Sequence, residues 1–201
     1  MLFDDNYKTI NSKSEGFYKE RGSKFISFSI PVTNEAEVKE FLDKIRKEFH
    51  DARHVCFAYI LGFDKSGIRM NDDGEPSGTG GRPIYGQLLS FDLTNTLIVV
   101  VRYFGGSLLG VPGLINAYKM ASLLVLQVTP VIQKQIEINY RLQFDYTMMN
   151  DIMTIVRQYN CNILSQDMQL FCVMTIGIAR NRLEEVLYKL KDTRGIELEK
   201  T

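Results

Sequence analysis

The side chains best placed to do chemistry in this chain of 201 residues gather in one stretch, Asp72-Asp73-Gly74-Glu75-Pro76-Ser77-Gly78-Thr79-Gly80-Gly81-Arg82-Pro83. Its glycines permit positive φ and present bare backbone N–H groups to a bound anion, and Arg82 adds a planar, bidentate donor. Asp72, Asp73 and Glu75 offer the hard oxygen ligands that Mg²⁺ takes. The same composition also reads as a solvated turn and a rigid run of turns ahead of a helix opened by Pro83 and continuing through Ile84 to Leu89.

A second cluster, Val99-Val100-Val101-Arg102-Tyr103-Phe104-Gly105-Gly106, carries a strand out of the core with Arg102 near its end. Ligands of α/β proteins gather where buried strands finish and glycine loops begin. In the plainer reading Arg102 pairs with a carboxylate while Tyr103 and Phe104 pack. His54, at the head of another apolar run, is placed for general-base work near neutral pH or for a structural hydrogen bond. The candidate anion- or ligand-binding set is therefore His54, Asp73, Glu75, Ser77, Gly78, Thr79, Gly81, Arg82, Arg102, Tyr103, Gly105 and Gly106, with backbone donors from Gly78 to Gly81. No catalytic residue is assigned.

Familiar templates are missing. There is no GxxxxGK[ST], complete GxGxxG or GxSxG, and Ser77 has no histidine at a fixed spacing. Cys56 sits among uncharged neighbours that do nothing to lower its pKa. Cys56, Cys161 and Cys172 have no CxxC spacing and only His50 and His54 accompany them, so a zinc site has no support; no metal site is assigned, Mg²⁺ at the acidic loop stays open, and no cofactor is expected. The three cysteines read as buried free thiols.

Strands and helices must hold these residues in place. Ile26, Phe28, Ile30 and Val32 alternate as a strand, and Asn34 with Glu37 forms a capping box ahead of a helix carrying Val38, Phe41, Leu42, Ile45 and Phe49. Val55–Phe63 and Leu97–Val101 are apolar on both faces, as central strands covered by helices are. Pro112 stands in a first helical turn, Leu114, Ala117, Tyr118, Ala121, Leu124 and Val125 mark a buried helix face, and Pro130 closes it. Of the 15 glycines, 11 lie between Gly62 and Gly113, which marks that segment as the one rich in special backbone.

The last third alternates Ile136, Ile138, Tyr140, Leu142, Phe144 and Tyr146 with polar residues as a half-buried strand. A helix capped by Asn150 follows, with Ile152, Ile155, Val156 and Tyr159 on one face, and then a hairpin of Cys161–Leu164 and Met168–Ile178. A second helix carries Leu183, Val186, Leu187 and Leu190, Gly195 breaks it, and Ile196 and Leu198 form a last strand. The order is βαββαβ, a ferredoxin-like plan, so the fold class is α+β with domains 1–131 and 132–201.

Composition bounds the partners. Residues 1–131 hold 15 basic and 15 acidic side chains and residues 132–201 hold 9 of each, so neither half is a basic nucleic-acid domain and no DNA partner is expected. The longest uncharged runs fall short of the roughly 20 apolar residues of a bilayer crossing, so no membrane is expected. Asp4 and Asp5 stand where a secretory signal would be basic, which makes the expected location cytoplasmic.

Arg53-His54-Val55-Cys56-Phe57-Ala58-Tyr59, Asp73-Gly74-Glu75-Pro76-Ser77-Gly78-Thr79, Gly81-Arg82-Pro83, Val99 through Gly106, Leu109-Gly110, Gly113-Leu114 and Ala117-Tyr118 together resemble the IMPACT family, the "imprinted and ancient" proteins, over about residues 15 to 128. The βαββαβ tail is similar to that of two-domain bacterial members. Gly80 replaces an alanine usual in the family, and Val111-Pro112 replaces a residue and glycine. The resemblance implies an N-terminal α/β domain similar to the second domain of ribosomal protein S5 and the ribonuclease PH core. It also implies a C-terminal domain similar to the last domain of the translocating elongation factor. The expected function is that of a cytoplasmic binding or regulatory protein acting on translation through RNA, the ribosome or a translation factor. Eukaryotic members restrain the starvation-sensing initiation-factor kinase with help from an added N-terminal domain, a role not expected to transfer to this chain. The opposing class is a hydrolase-like enzyme on a phosphate-containing or peptide substrate, using the acidic loop with Arg82, Arg102 and His54.

Overall fold

The computed structural model describes residues 5–168, 171–193 and 195–201. These divide into two compact units, Tyr7–Lys134, and Gln135–Thr201 with Asp5 and Asn6.

The first unit is built on a five-stranded sheet of β2 (Ser14–Glu20), β3 (Ser23–Pro31), β4 (His54–Leu61), β5 (Gly67–Asn71) and β6 (Thr96–Tyr103), in the order β2-β3-β6-β4-β5. All four pairings are antiparallel. The unbroken apolar runs of β4 and β6 reflect burial on both faces. Val55, Phe57, Tyr59, Leu97, Val99 and Val101 face α1 (Glu35–Glu48), while Cys56, Ala58, Ile60, Ile98 and Val100 face α2 (Gly81–Ser90) and α3 (Gly110–Val128). A helix on each side removes the polar face that would otherwise give a period-two pattern.

Asn34 caps α1 as its spacing predicts, its Oδ1 accepting from the Glu37 N–H at 3.0 Å. Glu37 reaches back one residue further than a standard box, accepting from the Thr33 N–H at 2.7 Å. A two-stranded sheet pairs β1 (Asn6–Ile10) with β7 (Val131–Gln135).

By length and composition alone α3 would be apolar enough to cross a membrane. In the fold it is a core helix: Leu114, Ala117, Tyr118, Ala121 and Val125 are buried, and the Ala121 carbonyl accepts a hydrogen bond from the Ser27 hydroxyl of β3 at 2.8 Å.

In the second unit β8 (Glu137–Phe144), α4 (Met149–Gln158), β9 (Asn162–Met168), β10 (Cys172–Ala179), α5 (Leu183–Asp192) and β11 (Glu197–Lys200) form an antiparallel sheet in the order β11-β8-β10-β9. This is the ferredoxin-like plan. Leu142, Phe144, Cys172, Met174, Ile176 and Ile178 pack with Ile152, Val156, Val186 and Leu190 of the helices. The register places Glu137, Arg141, Gln143, Asp167, Thr175, Glu197 and Glu199 on the opposite face.

Three local expectations change here. Met168, read as opening the second strand of the hairpin, ends β9 instead, and β10 starts at Cys172. Asn150 lies inside α4, and the capping carboxylate is that of Asp145, which accepts from the Thr147 N–H at 2.9 Å and starts a single 3₁₀ turn before the helix. Tyr146 belongs to that turn, and with the strand already ended it is exposed.

Candidate functional site

The glycine loop leaves the end of β5 at Asn71, whose side-chain oxygen accepts from the Asp73 N–H at 2.7 Å and turns the chain. Asp73 and Gly74 then adopt positive φ. Each acid of the loop is used internally. The Asp72 carboxylate accepts from the N–H groups of Gly78 at 2.8 Å, Gly80 at 2.9 Å and Gly81 at 2.8 Å, capping α2 from outside the helix. The Asp73 carboxylate accepts from the Val55 N–H at 2.7 Å and pairs with Arg46 at 2.8 Å. Glu75, buried, accepts from Arg102 at 2.6 Å and from the Tyr118 hydroxyl at 2.8 Å on one oxygen, Oε1.

The loop's own carboxylate takes up donors that the anion-cradle reading leaves for a ligand. Three of the backbone donors between Gly78 and Gly81 already hold a carboxylate, supplied by the protein. The glycines serve close packing: a Cβ at Gly80 would stand 2.6 Å from the Cys56 sulfur, and one at Gly81 2.7 Å from the Asn71 backbone nitrogen.

Arg102 ends β6 opposite Phe25 of β3 and His54 of β4. It is 5% exposed and makes a buried ion pair with Glu75. His54 stands beside the pair, with Nε2 at 3.9 Å from Glu75 Oε1, too far for a hydrogen bond. Its Nδ1 lies 2.8 Å from the Asp73 carbonyl oxygen. A carbonyl only accepts, so Nδ1 carries the proton and the neutral ring has its lone pair on Nε2.

Burial pushes the Tyr118 phenol well above its usual range, so it remains a donor to Glu75. Burial, with Glu75, Asp73 and Asp72 nearby, pushes the Cys56 thiol up to about 12. The thiol donates to the Asp72 carbonyl at 3.0 Å.

His54, Glu75 and Arg102 line a pocket of about 370 Å³ together with Arg53, Gly74, Pro76, Phe104 and the first turn of α3, where Leu109, Gly110, Val111 and Leu114 contribute. Leu108, 85% exposed, stands at its rim with the exposed Phe104 and Val111. Arg82 does not line it: it is exposed at the second position of α2, so the two arginines paired in the sequence reading do not share this cavity.

The other sequence candidates fall outside it too. Tyr103 donates to Asp51 at 2.7 Å and packs with the α1-side cluster. Thr79 is buried, with its hydroxyl on the Pro76 carbonyl at 2.7 Å, and Ser77 is exposed in the loop. Gly105 packs against the Gly22–Ser23 turn, and the neighbouring Gly106 has φ +86°. Sequence reasoning left out Arg53, Tyr118 and the Leu108–Val111 rim. Arg53 and Tyr118 lay within the motifs that carry the family resemblance, which was the available signal.

An antiparallel sheet covered by helices and carrying this loop, followed by a ferredoxin-like unit, defines a recognisable class: residues 21–126 match the family model for the Impact N-terminal domain. The chain belongs to the IMPACT family. It is 33% identical over 176 residues to the IMPACT family member YigZ of Escherichia coli, covering 86% of each chain. To YvyE of Bacillus subtilis it is 36% identical over 153 residues, 76% of this chain and 70% of that one. A crystal structure described as that of a hypothetical protein is 30% identical, covers 98% of this chain and 97% of its own, and has a TM-score of 0.77. A structure of the two-domain translational regulator Yih1 is 26% identical over 64% of this chain and 49% of that one, with a TM-score of 0.37.

Proposed function

We propose that the chain is a cytoplasmic, non-enzymatic binding protein that acts on translation, and that the pocket at the end of β6 is where it meets a translation component. The observation that carries this is the division of labour within the pocket. The charges of its floor satisfy one another through Glu75, Arg102 and Tyr118, the nearby Cys56 thiol is held protonated, and the surface left at the rim is apolar at Phe104, Leu108 and Val111. A floor built this way is rigid and poor in free nucleophiles, whereas an exposed apolar rim suits recognition. Yih1 is described as a translational regulator, and membership in the IMPACT family supports a translational role for this chain.

The test is sedimentation of lysate through a sucrose gradient, with and without nuclease, using wild type and a Phe104→Ser, Leu108→Asp double variant. Wild type should travel with ribosomal or factor-bound fractions and the variant should stay at the top. Both proteins at the top would overturn the proposal.

One observation favours the hydrolase reading: His54 Nε2 is left as an acceptor at the pocket. Release of phosphate or cleavage of peptide by wild type with Mg²⁺, lost in His54→Gln, would favour it. No turnover in either protein would favour the binding module.

A further inference from the structure

The pocket has a sign and a texture that together narrow its ligand. Two guanidinium groups, Arg53 and Arg102, and one imidazole line it against a single carboxylate, Glu75, which Arg102 and Tyr118 already occupy. Arg53 is exposed at the mouth and makes no ion pair among the described residues. The first turn of α3 opens on the same pocket through Gly110 and Val111 and has no side-chain cap, so it adds the positive end of a 19-residue helix.

The remaining lining is hydrocarbon, from Leu109, Val111, Leu114, Pro76 and Phe104. A phosphodiester chain has little to cover such a wall. With Leu108 standing free at the mouth, the pocket also does not enclose what it holds, as sites for small metabolites do, and a ligand can continue outward as a chain.

We infer that this pocket takes the C-terminal residue of a partner polypeptide, with its α-carboxylate between the Arg53 guanidinium and the first turn of α3 and its apolar side chain against Leu109, Val111 and Leu114. The inference rests on the pocket being the recognition site. It adds that what is recognised is a free chain end with a large apolar last residue, the capture of a terminal carboxylate by backbone donors and a cation.

The test is fluorescence anisotropy of the full chain with a panel of fluorescein-labelled hexapeptides, one for each amino acid at the last position, each made as free acid and as amide. Free acids ending in Leu, Ile, Met or Phe should bind. Their amides should bind about tenfold more weakly, the equivalent of one charge-assisted hydrogen bond. Arg53→Gln, at an exposed position that leaves the core intact, should lose several-fold toward the acids and nothing toward the amides. Equal binding of acid and amide, no binding by any free acid up to about 1 mM, or displacement of the peptides by single-stranded RNA would each overturn the inference. If the peptides fail while wild type still sediments with ribosomal or factor fractions, only this inference falls. If both fail, the reading beneath it falls as well.

Discussion

Arg102 and Glu75 meet through Nη1 and Oε1 at 2.6 Å, with the two side chains 6% and 3% exposed. Two charges taken this far from water gain little net stability as a pair, but each becomes costly without the other. Glu75→Gln should therefore destabilise the N-terminal unit by about 3 to 5 kcal/mol in urea unfolding, while the apolar pair Glu75→Leu with Arg102→Met should lose far less. A single-variant loss under about 1 kcal/mol would mean that the pair is solvated in solution.

The three N–H groups on the Asp72 carboxylate predict a second sensitive position. Asp72→Asn keeps the shape but turns one acceptor into a donor facing the Gly78 N–H or those of Gly80 and Gly81. The expected cost is about 1 to 3 kcal/mol, read as a lower urea midpoint at unchanged slope. Wild-type stability in this variant would show that water replaces the carboxylate without loss.

Two glycines should respond with opposite sign. A Cβ at Gly105 would stand 1.9 Å from the Gly22 carbonyl carbon, so Gly105→Ala must part the two loops, at a cost of about 3 kcal/mol or more. Gly86 lies inside α2 with nothing within 4 Å of the methyl group an alanine would add, and Gly86→Ala should raise stability by about 0.5 to 1 kcal/mol. Thermal melts of the two variants on either side of wild type are the expected result, and any other order contradicts the packing.

Cys56 sets an alkaline limit. Burial first, and then the neighbouring carboxylates, raise its thiol from 9.0 to about 12, and Tyr118 shifts upward from 10.0 for the same first reason. A raised pKa in the folded state means that stability is fully present below the unfolded value and is lost as pH rises. Between pH 9.0 and about 12 the unfolded chain releases the Cys56 proton while the folded chain keeps it. The unfolding free energy should then fall by about 1.4 kcal/mol per pH unit for that proton. Urea midpoints that stay flat from about pH 8 to about pH 10.5, or a Cys56→Ala variant with an unchanged slope, would count against a buried thiol.

Periodicity made the C-terminal unit legible because its sheet has one covered face, so Leu142 and Phe144 alternate with Arg141 and Gln143. The same rule hid strand direction in the N-terminal unit, where β4 and β6 are apolar throughout, because a run buried on both faces looks alike in parallel and antiparallel sheets. At the site, His54, Glu75 and Arg102 were found because charged residues flanking apolar runs stand out. What a linear reading cannot supply is which donor meets which acceptor. Gly78, Gly80 and Gly81 looked free for a ligand until Asp72, six to nine residues earlier, folded back onto them. Tyr118 was read as one more position on a buried helix face, and its hydroxyl reaches Glu75 across 43 residues of sequence.

The uncovered face of the C-terminal sheet has a consequence for any strand of nucleic acid laid across it. Its described residues include four carboxylates, Glu137, Asp167, Glu197 and Glu199, against one guanidinium, Arg141, and the register places no aromatic ring among them. Base-reading sheets of this plan work by stacking bases on exposed rings while cations hold the backbone. Here the bases would find no platform and the phosphates would be repelled at low ionic strength. Any attraction measured for the isolated unit should therefore grow as salt is added, the reverse of ordinary counterion release.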